Sequence, residues 1–354
     1  MAFHLPPIVT FGPTAPAAAA VAAPPLAGPL PPLLTPTTSL AQAVRGGTLG
    51  VGYAGGGFLI FYYLGVSKIL HQLGIIKPGE VKTAGASAGV LAQGADHPGM
   101  PPHDEWIRRG IKFSNGCRAD RNCVDRLDKH MTALIEEMVP PHAAASVSGR
   151  ACGVVTWYKN GGDMSEGGYV CDYATRKDVV DALRVGTYVP GWSGDAKHIY
   201  LKGRPAFDGA FSQLLPCPPN VTYCIKIAAL APWDVSRSIE ALLNPVEMST
   251  TVGLTLDAIK NMLGPDPLQE VVDSIQKDKL NTYNLPGWMK LMERSQNPIA
   301  DIYPGKFTRS PISPAQQLLF VLSPPTEETV MMLYRLGQAD GRAWAKSVGW
   351  PTLR

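Results

Sequence analysis

Charge is scarce in this chain. Asp, Glu, Lys and Arg make up 17% of its 354 residues against 45% apolar ones, and no acid precedes Glu80. A net charge of +3 without a long basic run leaves no footprint for nucleic acid. The six cysteines contain no Cys-x-x-Cys pair and no Cys/His zinc spacing, so no metal or other cofactor is expected. A chain of this length buries a core without staples, and free thiols in a reducing compartment are the expectation. No uninterrupted apolar run spans a bilayer: residues 58–73 come nearest but are broken by Gly65 and Lys68, so the chain is not read as transmembrane. Internal repeats are absent too.

Residues 1–46 form a Pro/Ala-rich segment whose sole Lys or Arg is Arg45. Its prolines forbid a regular helix between positions 24 and 32, which excludes a signal-peptide core or a span. The composition reads as a disordered extension; an organellar, plastid-type transit peptide is the sharper alternative. From residue 47 strands and helices alternate. Strands are expected at 48–54, 81–84, 153–159, 168–173 and 223–230, and helices at 58–73, from Ser87, over 104–138 (a charged, solvated face), from a Thr175 capping box, and at 327–347. Alternation of this kind predicts an α/β protein with a mostly parallel sheet flanked by helices. Residues 47–232 form the catalytic domain and 233–354 a helical C-terminal region packing on it or lidding it.

Chemistry concentrates at Gly85-Ala86-Ser87-Ala88-Gly89. This is the G-x-S-x-G nucleophile elbow, whose glycines let strand and helix crowd around a strained turn that exposes a serine hydroxyl. Gly55, Gly56 and Gly57 precede it at the end of the first strand, and Asp208-Gly209-Ala210 follows. Backbone N–H groups of the glycine loop and of Ala88 are candidate donors to an oxyanion; close packing of helix on strand is the plainer role of such glycines. The histidines stand at 4, 71, 97, 103, 130, 142 and 198, so none follows Asp208, and the order serine, acid, histidine is excluded. His198 reads as a strand-end residue. A direct Ser87–Asp208 dyad is the simplest chemistry left, although an aspartate before glycine is also a common turn residue. Gly50-Val-Gly52-Tyr-Ala-Gly55 spells the dinucleotide fingerprint, but no apolar strand precedes it and no acid stands about 20 residues beyond.

These three pieces, in this order, resemble patatin-like phospholipases, which use a Ser–Asp dyad. Residues 54–59 with 63–66, 188–194, 208–212 and Leu215-Pro216 are similar to the branch containing adipose triglyceride lipase and adiponutrin, as is the final helix with Tyr334, Gly337 and Asp340. The resemblance runs from about 46 to 232 and omits 233–312. It implies a three-layer α/β/α fold with a helical C-terminal extension. It also implies a lipid acyl hydrolase cleaving acylglycerols or glycerolipids through an acyl-Ser87 intermediate, without cofactor or metal. An acyltransferase using the same intermediate and a weakly active lipid-associated scaffold are the alternatives. Its partner is lipid at a membrane or lipid-droplet surface, with a cytoplasmic or membrane-peripheral location and plastid import left open. Three positions depart from the family text: Ile60 where the loop ends in glycine, Leu59 where the plant branch is basic, and Tyr63 where the nearer branch often has histidine. Trp192, Trp288 and Met289 are candidate interfacial contacts, 257–263 and 268–275 a candidate lid, and Arg108, Arg109, Lys112, Arg118 and Arg121 candidate headgroup contacts or a solvated face.

Overall fold

Residues 39–123, 125–158, 164–231, 300–312, 316–317, 320–321 and 323–351 are described by the computed structural model. Along them run α1 (Leu40–Arg45), β1 (Leu49–Tyr53), α2 (Ile60–Gln72), β2 (Lys82–Gly85), α3 (Ala88–Ala92), α4 (His103–Ala119), α5 (Leu127–Met138) and α6 (Ala143–Val147). Then follow β3 (Ala151–Tyr158), β4 (Met164–Val170), α7 (Arg176–Gly186), β5 (Ile199–Leu201), β6 (Arg204–Asp208), β7 (Tyr223–Ile227) and α8 (Glu327–Ser347). All five residues of β1 are buried, as a strand covered by helices on both faces requires.

The fold is α/β. Hydrogen-bonded neighbours run β5–β6–β3–β2–β1–β7, and β4 also pairs with β3. The central strands β7, β1, β2 and β3 are parallel, while β4 and β6 run antiparallel to β3. Register on β3 decides where the site lies. Gly153 pairs with Gly85 of β2 on one edge and Val170 of β4 on the other; Val155 pairs with Gly168 of β4 and Asp208 of β6. Strands β2 and β6 therefore share one edge of β3, one after the other. They run toward each other and stop two β3 residues apart, roughly 7 Å at strand rise.

Three expectations are corrected. The N-terminal segment is ordered earlier than residue 47, because Ser39 and Gln42 form a capping box that starts α1 and Leu40, Ala43 and Val44 are buried in the core. Helices α4 and α5 are not merely a solvated face: each turns an apolar stripe inward. The cysteines are not free thiols but form Cys117–Cys123, Cys152–Cys171 and Cys217–Cys224 bonds, with Cα separations of 4.7, 4.2 and 6.2 Å. The antiparallel β3–β4 hairpin sets Cys152 opposite Cys171, which no spacing rule reveals. Beyond the segment 232–299, Ile302 bridges to Ile227 at the end of β7, and α8 packs along α2. Most of residues 1–46, the turn at 160–162, Trp288, Met289 and the candidate lid lie outside the described residues.

Candidate active site

Chain direction changes abruptly after β2. Ser87, in first position before α3, has φ +52° and ψ −128°, a conformation that non-glycine residues rarely adopt. Neighbouring glycines allow it. A Cβ on Gly85 would lie 2.3 Å from the Gly89 carbonyl, and one on Gly89 2.3 Å from the Tyr53 carbonyl oxygen. The Ser87 side chain is left half-buried at the mouth of a pocket.

Asp208 ends β6 fully buried. Its N–H donates to the Tyr188 carbonyl at 2.9 Å, and the Thr156 hydroxyl donates to its carbonyl at 2.9 Å. Carboxylate Oδ1 accepts the Ala210 N–H at 2.7 Å. Burial pushes the carboxyl up to about 7, against the pull of the Ser87 hydroxyl and the Ala210 N–H. Oδ2 has no well-aligned partner among the described residues, so Ser87 reaches the carboxylate only loosely, as pairs awaiting substrate commonly do. Gly209 follows against the Val154 carbonyl.

The glycine loop closes the third side. Gly55 lies beside the dyad, since a Cβ there would meet Ala210 Cβ at 2.8 Å and Ser87 Cβ at 3.3 Å. Its N–H donates to the Leu214 carbonyl, whereas the N–H groups of Gly56, Gly57 and Ala88 have no partner among the described residues. Gly57 is left-handed at φ +53°, and a Cβ there would lie 2.0 Å from the Val321 carbonyl oxygen. One on Gly56 would meet the Tyr63 hydroxyl at 2.8 Å. Side chains at these two positions thus collide with the protein's own framework rather than with a bound carbonyl.

Beyond Ser87 opens a pocket that is partly open to solvent. Phe61, Leu64, Leu91, Phe113, Met131 and Leu134 are among its almost wholly apolar lining. Ile60 and Trp192 also face it, and Trp192 meets Phe58 edge to face. One signal for the α4 part of this wall stands in the sequence, the i, i+4, i+7 spacing of Trp106, Gly110 and Phe113, which the reading of 104–138 as a solvated face passes over.

Other candidates lie elsewhere. His198 packs on Tyr158 and reaches the Tyr200 hydroxyl at 3.5 Å. Gly50 and Gly52 sit inside β1 and form no phosphate loop. Arg108 and Arg109 pair with Glu105 on α4. A buried polar cluster unites His71, Asp96 and His103, with ligand-type atoms within 4.8 Å of one another. Asp96 accepts from Tyr53 at 2.6 Å, from His71 at 3.0 Å and from Ser67, whose hydroxyl meets His103 Nε2 at 2.7 Å. An ionised carboxylate carries no proton, so Ser67 donates to it and His103 donates to Ser67. Both imidazoles face the cluster with N–H groups rather than with lone pairs for a metal. Burial pushes Asp96 up, but His71 and the other hydrogen bonds outweigh it and hold the carboxyl below its ordinary range.

In comparison with known proteins, the chain matches no protein-family model and no curated protein.

Proposed function

We propose that this protein is a serine lipid acyl hydrolase with a patatin-like three-layer fold, cleaving acylglycerol or glycerolipid esters through a Ser87–Asp208 dyad. One observation carries the reading: a positive-φ serine stands at the mouth of an apolar pocket, facing a buried aspartate on a converging strand, with no histidine beside it among the described residues. Asp208 takes the Ser87 proton as Oγ attacks the ester carbonyl. The oxyanion is held by the N–H groups of Gly56, Gly57 and Ala88, the Gly55 N–H being taken up by the Leu214 carbonyl. Collapse of the intermediate expels the lipid alcohol, which takes the proton from Asp208, and the acyl chain stays in the pocket as an ester of Ser87. Water, deprotonated by Asp208, then releases the fatty acid. A lipid alcohol in place of water makes the same cycle an acyltransferase. No helix among the described residues is long and apolar enough to cross a membrane, so substrate is met at a lipid surface.

The test is direct. Wild type, Ser87→Ala and Asp208→Asn are assayed on triacylglycerol, galactolipid and phospholipid with and without an acyl acceptor, and labelled with a fluorophosphonate. Each substitution should lower turnover by several orders of magnitude, with the double variant no worse, because the pair acts as a unit. Labelling should be confined to Ser87. Undiminished turnover in Ser87→Ala overturns the proposal, and a wild type that neither turns over nor labels makes the protein a scaffold.

A further inference from the structure

Tyr63 is fully buried on α2, one turn past the glycine loop, and its hydroxyl is used twice. It accepts the N–H of Ala229, just beyond β7, at 3.2 Å. It donates to the carbonyl of Gly55 at 3.1 Å. The direction is forced: Ala229 N–H can only donate and Gly55 C=O can only accept, so the phenolic hydrogen points at Gly55. The ring is held by edge contacts with Tyr53 and Tyr62, at centroid distances of 5.9 and 6.4 Å. A trans peptide holds its C=O and N–H in one plane, pointing in opposite directions. Gripping the Gly55 oxygen therefore fixes the Gly55–Gly56 peptide plane and turns the Gly56 N–H away from Tyr63. That N–H is one of the loop donors without a partner among the described residues, and Gly55 itself abuts Ser87.

We infer that Tyr63 is the positioning residue of the oxyanion site, its hydroxyl clamping the glycine loop to the end of β7 so that the Gly56 N–H is held ready for the developing charge. The inference rests on the serine-hydrolase reading. Glycine supplies no rotamer and no packing of its own, and an unclamped three-glycine loop has many conformations to lose. Aim is what a preorganised donor needs, since misplacement by about 1 Å costs as much as 10²-fold in rate.

The experiment compares Tyr63→Phe with Tyr62→Phe on a soluble ester. Tyr62 lies next in the helix and loses an equally buried hydroxyl contact, a 2.8 Å bond to Asp340, but touches no loop carbonyl. Both variants should melt at lower temperature than wild type. Only Tyr63→Phe should lose kcat, by about 10- to 100-fold with KM within about twofold, less than the 10²–10³ for outright loss of a donor. Installing para-aminophenylalanine at position 63 restores an N–H at the same reach and should recover most of the loss. Unchanged kcat in folded Tyr63→Phe, an equal loss in Tyr62→Phe, or a change in KM alone overturns the inference. If Tyr63→Phe does not fold, the aminophenylalanine variant decides: it must keep wild-type kcat or the clamp is refuted. Ser87→Ala is run alongside. Activity surviving there overturns the serine reading and the clamp together, whereas a dead Ser87→Ala beside a fully active Tyr63→Phe overturns only the clamp.

Discussion

Asp208, the base of the proposed dyad, is kept buried at a cost to the fold. Its carboxyl is held at about 7 against an ordinary value of 3.8, chiefly by burial, so the native state keeps a proton that the unfolded chain has lost. The Asp208 contribution to stability is therefore most favourable below about pH 4, is lost as pH rises toward 7 and levels off above it. Asp208→Asn does not titrate there. Its melting temperature should exceed that of wild type by a margin that widens from pH 4 to 7, as thermal melts across that range will show. Wild-type kcat/KM should climb over the same interval with a midpoint near 7, because only ionised Asp208 can take the serine proton. A flat margin or a rate without that limb would remove Asp208 as the base. The turns that carry Ser87 and Asp208 were legible in sequence because crowded turns demand the glycines that mark them. Tyr63 was visible only as a departure from a family text, since its partners, Gly55 and Ala229, lie 8 and 166 positions away.

Among the elements, α2 and α8 cross with their backbones nearly touching. A Cβ on Gly337 would lie 2.1 Å from the Tyr62 carbonyl oxygen, and one on Gly65 2.1 Å from that of Tyr334. Gly337→Ala must push the helices apart and should cost roughly 1–3 kcal/mol or more in urea unfolding. Because α8 stands behind α2 and not in the pocket, turnover per folded molecule should hold. An Ala variant as stable as wild type would mean that this crossing is looser than described. Elements with strong end signals were legible: the Thr175 box before α7 and the Thr326 cap before α8 mark helices at their observed starts. Short elements were not. Strand β5 is three residues long and exposes Tyr200, too little for an alternating pattern, and α1 is six residues hidden beside a proline-rich run. The inward stripe of α4 was masked by its arginines and by Asp104 and Glu105.

For the whole molecule the cysteines change the setting. Three short-range bonds account for all six, and such bonds persist in oxidising surroundings rather than in the reducing compartment expected for a chain long enough to fold without them. Unreduced protein should take up no alkylating reagent until denatured with reductant, and reduction should lower its melting temperature, each loop contributing up to about 3 kcal/mol. Full labelling without reductant would return the thiols to the free state. The mostly parallel centre of the sheet was readable from alternating strands and helices; the reversal that brings β6 in antiparallel was not, because it depends on the β3–β4 hairpin leaving one edge of β3 half empty. That head-to-head meeting of β2 and β6 has a kinetic meaning as well. Ser87 and Asp208 are 121 positions apart, and no stretch of the chain holds both until β3 has been paired twice along one edge. Long-range pairing of this sort comes late and slowly in folding. On the proposed hydrolase reading, competence is then the last property a newly made chain acquires and the first it loses when β6 frays, so a half-folded molecule exposes no working nucleophile.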